Sequence, residues 1–118
     1  MSKKVLVADD DAAILDAVSL MLKEEGFDVK TQANGNKLYN LEQDLPDVLL
    51  LDIWMSGVDG GDICKFLKKQ PATQNLPIVL VSANKDTAKI AEEAGADDFL
   101  AKPFEMDELI EKVKKYTK

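Results

Sequence analysis

Apolar and polar residues follow one another in blocks along the chain, and the blocks predict strands separated by helices. Four short runs are almost continuously apolar, at residues 5–8, 48–51, 78–81 and 99–101. Such runs are typical of strands that are buried on both faces of a parallel sheet. Residues 27–31 instead alternate between apolar and polar side chains, which predicts a strand at the edge of the sheet with one exposed face.

Segments with a helical period lie between these runs. The first has its apolar residues on one stripe and is expected to end at Gly26. The second is weaker: it is predicted from Leu38, Leu41 and Leu45, and Pro46 closes it. Each of these segments therefore separates two predicted strands.

Three more helices are predicted in the second half of the chain. One precedes Pro71, one covers residues 85–94 and ends at Gly95, and the last begins with acids and ends with lysines, as the helix dipole favours. Strict alternation of strand and helix implies crossover connections and hence a parallel sheet with helices on both faces. We predict an open, doubly wound α/β fold with five strands, formed by residues 1–118 as a single domain.

Composition and charge narrow the function classes. The chain has 15 basic and 22 acidic residues, and its net charge of −7 predicts no direct contact with nucleic acid or with an anionic membrane surface. The chain has no histidine, so it has no imidazole that could act as a general base, as a metal ligand or as a phosphohistidine donor. If the protein carries a phosphoryl group, that group must come from another molecule. The one cysteine, Cys64, is predicted to face the core. No apolar run is long enough for a signal peptide or a membrane span, so a cytoplasmic location is expected.

Polar residues with chemical potential follow the apolar runs. Ligands of doubly wound sheets bind outside the carboxyl ends of the strands, so residues at those ends should meet along one edge. Carboxylates, a hydroxyl and an ammonium occupy these positions: Asp9, Asp10, Asp11, Asp52, Ser82 and Lys102.

Each of these residues also has an ordinary structural interpretation. Asp11 and Ser82 could cap the helices that follow them. Asp52 could open a turn, and Lys102 could be a solvated charge. Together, however, the residues indicate a cation site, because neighbouring carboxylates repel one another unless a cation lies between them.

Magnesium is the cation that this donor set favours. Mg²⁺ prefers oxygen ligands and is usually held by one or two carboxylates, with Mn²⁺ as the alternative ion, whereas a chain without histidine suits zinc poorly. An aspartate could then attack a phosphoryl donor and form an acyl phosphate, with Lys102 as a neutralising charge.

Four separated motifs carry a family resemblance. They are VADDD at residues 7–11, LLDIWMSGVDG at residues 50–60, VSAN at residues 81–84 and GADDFLAKPF at residues 95–104. In their order and spacing the sequence resembles the receiver domain of two-component response regulators over essentially its whole length. The resemblance implies a flavodoxin-like receiver fold with strand order 2-1-3-4-5.

The resemblance also implies a role for each site residue. Asp52 would be the phosphoacceptor, and Asp9 and Asp10 would hold Mg²⁺ together with Asp52, directly or through water. The backbone carbonyl of Trp54 would complete the protein's share of the coordination.

Three further residues would couple phosphorylation to the surface. Ser82 and Lys102 would contact phosphoryl oxygens, and the Lys102–Pro103 bond would be cis. Phe99 occupies the aromatic switch position, so the face made by helix 4, strand 5 and helix 5 would change shape. Two departures stand out: Ser56 replaces the usual proline, and Phe99 lacks a hydroxyl.

The implied partners follow from the same resemblance. A sensor histidine kinase, a histidine phosphotransfer protein or a small phosphodonor would supply the phosphoryl group, and an output protein or domain would respond. The chain would be no enzyme beyond catalysing its own phosphorylation and slow autodephosphorylation. Two alternatives are an unphosphorylated pseudo-receiver that binds a partner, and a haloacid-dehalogenase-like phosphatase with Asp9 as nucleophile.

Overall fold

The apolar runs form a five-stranded parallel sheet. In a computed structural model, which describes residues 2–55 and 57–118, the strands are β1 (Lys4–Ala8), β2 (Asp28–Gln32), β3 (Val48–Asp52), β4 (Ile78–Ser82) and β5 (Asp98–Ala101). Neighbours across the sheet follow the order β2-β1-β3-β4-β5, and all four pairings are parallel. This confirms the predicted fold class and strand order.

Helices cover both faces of the sheet. They are α1 (Ala12–Glu24), a 3-10 helix (Gly35–Asn40), α2 (Gly60–Lys69), α3 (Thr87–Ala94) and α4 (Met106–Tyr116). The apolar faces of α1 and α4 pack on one side of the sheet, and those of α2, α3 and the 3-10 helix pack on the other. The fourth and fifth predicted helices are therefore α3 and α4.

The three central strands of the sheet, β1, β3 and β4, are the ones whose side chains are most buried. Every residue of β3 and β4 is buried, as continuous apolar runs favour. The prediction of burial on both faces was wrong for β5, where Phe99 and Ala101 are exposed and Leu100 is buried. The reason is position: β5 forms the second edge of the sheet, and only one of its faces packs against the core.

The second predicted helix is shorter than its leucine spacing indicated. It is a 3-10 helix that ends at Asn40, and Leu45 lies beyond it. Of the three leucines used in the prediction, only Leu38 is fully buried. Asn34 caps the helix, and Asp44 adopts a positive φ of 54°, which a continuing helix forbids.

Other predicted features are also accounted for. Cys64 is fully buried, as expected, and its burial raises the pKa of the thiol to about 11. The expectation for Ser56 lies outside the described residues. Within residues 2–55 and 57–118, no helix is long and apolar enough to cross a membrane.

Candidate functional site

Three carboxylates meet at the carboxyl end of the sheet. Asp9 directly follows β1, where its N–H extends the pairing by donating to the Gln32 carbonyl over 3.2 Å, and its side chain is buried. Asp52 ends β3 and is also buried, whereas Asp10 is exposed. One carboxylate oxygen from each of Asp9, Asp10 and Asp52 lies within 4.8 Å of the others.

Lys102 reaches the same cluster from the end of β5. Its backbone N–H donates to the Ser82 carbonyl over 2.8 Å, which fixes the start of the side chain beside β4. The ammonium lies 2.9 Å from Asp9 Oδ2 and 3.6 Å from Asp52 Oδ2. The Lys102–Pro103 peptide bond is cis, as the resemblance implies. Lys102 is therefore a partner of two acids and not a solvated surface charge.

The electrostatics of the cluster are uneven. Burial and then the nearby charge of Asp9 raise the pKa of Asp52 to about 6, although Lys102 and a backbone hydrogen bond from Trp54 oppose the shift. Burial disfavours the charged form of Lys102, but its hydrogen bond to Asp9 and the charge of Asp52 outweigh this effect and raise its pKa. The site thus contains a carboxylate whose ionisation is costly and a lysine that stays charged.

The donor set suits a hard divalent cation. Three carboxylates in close proximity supply oxygen ligands alone, and a cation would offset both the burial and the repulsion from Asp9 that raise the pKa of Asp52. Mg²⁺ takes one or two carboxylates and keeps waters and phosphate oxygens in its other positions. Asp9, Asp10 and Asp52 are therefore the residues that could hold it.

Asp11 and Ser82 have different local roles. Asp11 is the N-cap of α1, and its Oδ1 accepts from the N–H groups of Ala13 and Ile14 at 2.9 and 3.3 Å. Ser82 is buried at the end of β4, and its Oγ accepts from the Asn84 N–H at 2.9 Å. Because Asp86 is the N-cap of α3, Ser82 does not cap that helix.

Two predicted site residues present exposed aromatic side chains. Trp54 is 64% exposed and lies two residues after Asp52. The role of its carbonyl as a metal ligand stays a prediction. Phe99 is 38% exposed on β5, where it is paired in register with Leu80. Neither side chain belongs to the acid cluster.

The loop after Asp52 contains a feature that the sequence analysis missed. Trp54–Met55 and Val58–Asp59 form a short antiparallel hairpin, which leads directly into α2. The Gly60 N–H donates to the Ile53 carbonyl, and a Cβ at Gly60 would lie 2.8 Å from the Ile53 Cα. The signal in the sequence was Gly57, which lies between the two short strands and adopts a positive φ of 75°.

A second missed feature ties α4 to β5. The Tyr116 hydroxyl donates to Asp98 Oδ2 over 3.0 Å, and the Lys112 ammonium lies 3.1 Å from Asp98 Oδ1. Asp98 directly precedes Phe99, whose N–H also donates to Oδ1 at 2.8 Å. Charge order along the last helix did not reveal this partner, because Asp98 is far from Lys112 and Tyr116 in sequence.

Comparisons with known proteins identify the class that this fold and site define. The family model for the response regulator receiver domain matches residues 5–114. The chain therefore belongs to the response regulator receiver family, a regulatory family of two-component systems, and the predicted resemblance is confirmed. The match gives no support to the pseudo-receiver or the phosphatase.

Individual relatives agree with this family. The DNA-binding response regulator MtrA of Mycolicibacterium paratuberculosis is 36% identical over 117 residues, which cover 97% of this chain and 51% of the relative. The chain thus spans about half the length of the curated relatives it matches.

Solved structures show the same fold. The Francisella response regulator 1452 receiver domain is 33% identical, with a TM-score of 0.88 and coverage of 98% of this chain and 97% of that chain. The chemotaxis response regulator CheY4 of Vibrio cholerae is 27% identical, with a TM-score of 0.88 and coverage of 98% and 99%.

Proposed function

We propose that Asp52 accepts a phosphoryl group in the presence of Mg²⁺ and that the chain thereby acts as a phosphorylation-dependent switch. One observation carries the proposal: the carboxylates of Asp9, Asp10 and Asp52 converge within 4.8 Å, with the Lys102 ammonium 3.6 Å from Asp52. Asp52 is the acid of this group that ends the central strand β3. This position supports the transfer of a signal from Asp52 into the sheet.

The proposed reaction forms one bond and breaks another. A carboxylate oxygen of Asp52 attacks the phosphorus of the donor, and the bond between phosphorus and the donor's nitrogen or oxygen breaks. The leaving group takes the electron pair, and Asp52 carries an acyl phosphate. When bound, Mg²⁺ supplies charge neutralisation at the phosphoryl oxygens. Asp9, Asp10 and Asp52 would hold this ion, and the Trp54 carbonyl would add a further ligand.

Lys102 and Ser82 act on the product. Lys102 is held beside Asp52 by its pairing with Asp9 and by its backbone contact with Ser82, so its ammonium can move to a phosphoryl oxygen over a short distance. Ser82 ends the strand next to β3 and is buried, which supports a contact between its hydroxyl and a second oxygen. Both contacts favour the phosphorylated conformation and shift the population toward it.

The responding surface is formed by α3, β5 and α4. The helix α3 has no side-chain cap hydrogen bond at its N-terminus, and its buried residues are small: Thr87, Ala91 and Ala94. Phe99 on β5 is partly exposed, so an inward turn of its ring would bury apolar area. These features support a change of shape at this surface when Ser82 moves toward the phosphoryl group.

The proposed donor is a histidine kinase or a histidine phosphotransfer protein in the cytoplasm, or a small phosphodonor. The chain itself has no histidine, which makes an external donor necessary. The proposed receiver of the signal is a partner or a further domain. Curated relatives are DNA-binding regulators, but a net charge of −7 disfavours DNA contact by this chain itself.

Phosphorylation by acetyl phosphate tests the assignment. With Mg²⁺, intact mass should rise by one phosphoryl group, and the fluorescence of Trp54, the one tryptophan of the chain, should change. Asp52→Asn should abolish both effects, and the matched change Asp11→Asn should preserve them. Label on Asp9 would instead support a phosphatase, and no label on any aspartate would support a pseudo-receiver.

A further inference from the structure

A cavity lies beside the edge strand β2, away from the acid cluster. Its volume is about 250 Å³, and it opens between β1, β2 and the chain that leads to β3. The 3-10 helix explains the cavity: six residues at about 2 Å each span roughly 12 Å, whereas a five-residue strand spans roughly 17 Å. The 3-10 helix is therefore too short to cover the full length of β2.

The cavity combines an apolar floor with a polar wall. Its apolar lining includes the half-buried side chains of Leu41 and Pro46, as well as the buried Leu6 and Leu38. In the parallel register, Leu6 pairs with Lys30, and side chains of paired residues project from the same face of the sheet. Lys30 therefore stands beside Leu6 on the face that an amphipathic helix would otherwise cover.

The charge of the lining is opposite to that of the whole chain. Three lysines and two aspartates line the cavity, which gives it one net positive charge: Lys4, Lys30, Lys37, Asp28 and Asp44. The whole chain has a net charge of −7. A local positive excess on an acidic protein favours an anionic ligand at this position.

A carboxylate already occupies the cationic end of the cavity. Asp44 receives hydrogen bonds from the ammonium groups of Lys4 at 2.8 Å and Lys30 at 2.9 Å, one at each oxygen. These two bonds lower the pKa of Asp44 to about 2. Asp44 and both lysines are exposed to solvent, so the ion pairs exchange readily with an external anion.

We propose that this cavity is a second ligand site, which binds a small organic carboxylate with an apolar body. The ligand carboxylate replaces Asp44 between Lys4 and Lys30, and the apolar body packs against Leu41 and Pro46. Asp44 is then a tethered competitor that sets the affinity. The site is independent of the proposed phosphorylation, because Lys4 begins β1 and Asp9 directly follows its other end, roughly 17 Å away.

Titration with 1-naphthoate, followed by amide chemical shifts of the full chain, tests the proposal. We expect saturable shifts at Leu6, Lys30 and Leu38, with a dissociation constant tighter than about 1 mM. The neutral analogue 1-naphthalenemethanol and the headgroup analogue acetate should each bind about tenfold more weakly, because each lacks one half of the ligand. Naphthyl phosphate in a parallel titration shows whether the site prefers a carboxylate to a phosphate.

Three variants test whether the charged side chains of the cavity bind the carboxylate. Asp44→Asn should tighten naphthoate binding about fivefold, because it removes the competing charge and asparagine tolerates a positive φ. Lys30→Gln should weaken binding by a similar factor, whereas Lys69→Gln, the matched loss of an exposed lysine on α2, should not. In addition, Asp52→Asn should leave binding unchanged, which keeps this test separate from that of the proposed function.

Several results would overturn the proposal. They are the absence of saturable shifts, equal binding of naphthoate and the alcohol, stronger binding of naphthyl phosphate, or shifts centred on residues outside the cavity. Unchanged affinity in both Asp44→Asn and Lys30→Gln would do the same. Both positions are exposed, so these variants should fold, and thermal unfolding checks this directly.

Discussion

Lys102 donates a hydrogen bond to Asp9 over 2.9 Å, although 93 residues separate them in sequence. The contact of the same ammonium with Asp52 is longer, at 3.6 Å. The Lys102 ammonium therefore neutralises the charge of Asp9 more than that of Asp52, and Asp52 keeps a raised pKa. Stability, metal affinity and signalling should therefore all depend on how this one cation is shared.

Replacing Lys102 should separate metal binding from signalling. In Lys102→Ala, Asp9 loses its ammonium partner while buried, so unfolding free energy should fall by about 1 to 3 kcal/mol. Mg²⁺ affinity should stay the same or rise, because a competing cation is gone. Phosphorylation should no longer shift the amide resonances of α3 and α4. A loss of Mg²⁺ binding in this variant would contradict the assigned role of Lys102.

Neutralising Asp52 should stabilise the protein in a pH-dependent way. Because the folded pKa of about 6 lies above the usual 3.8, the folded state binds this proton more tightly, and stability falls as pH rises from 3.8 to 6. Asp52→Asn removes that loss, so it should add about 1 to 2 kcal/mol at about pH 7.5 and much less at about pH 4. Urea unfolding without divalent metal measures both values. Equal gains at the two pH values would contradict the raised pKa.

Acid should also weaken metal binding. Mg²⁺ competes with the proton on Asp52, so the apparent Mg²⁺ affinity of the wild-type chain should fall about tenfold per pH unit below pH 6. Trp54 fluorescence follows the titration, provided that its response to metal is first established at high pH. An affinity that stays constant from pH 7 to pH 5 would mean that Asp52 is not a ligand.

Removing Asp11 should affect stability without affecting the acid cluster. Its side chain caps α1 through two backbone N–H groups, so Asp11→Ala should cost about 1 kcal/mol of unfolding free energy. Mg²⁺ affinity and phosphorylation should remain close to those of the wild type. The matched control is Asp16→Ala, an exposed acid within α1, which should change stability by less than half as much. Tenfold weaker Mg²⁺ binding in Asp11→Ala would instead make Asp11 a ligand.

Adding a methyl group at Gly60 should disturb the loop that follows Asp52. The new Cβ would lie 2.8 Å from the Ile53 Cα, and backbone atoms cannot yield as a side chain can. Gly60→Ala should therefore cost about 2 kcal/mol or more and slow phosphorylation by acetyl phosphate. Gly61→Ala is the control, because its Cβ first meets the side chain of Asp59. Helix propensity alone would favour alanine at both positions, so similar losses in both variants would mean that the close approach to Ile53 is not the cause.

The leucine spacing at residues 38–45 shows why part of the fold could not be predicted. Leu38, Leu41 and Leu45 have helical spacing, yet the helix ends at Asn40. Beyond the helix, Asp44 adopts a positive φ and pairs with Lys4 and Lys30, which are 40 and 14 residues away in sequence. Hydrophobic periodicity indicates only the local preference for secondary structure, so it cannot reveal ion pairs between distant segments.

The sequence by itself determined the order of elements, the central strands and the residues that gather at the carboxyl end of the sheet. It could do so because hydrophobic periodicity, helix-capping residues and helix-terminating glycines depend only on neighbouring residues. In addition, parallel strands place their carboxyl ends on one edge of the sheet. Only the tertiary structure decided that Lys102 favours Asp9, that Asp52 is hard to ionise and that a cavity opens beside β2. These properties depend on distances and burial between segments far apart in the chain, because Coulomb energies and desolvation vary with position in space.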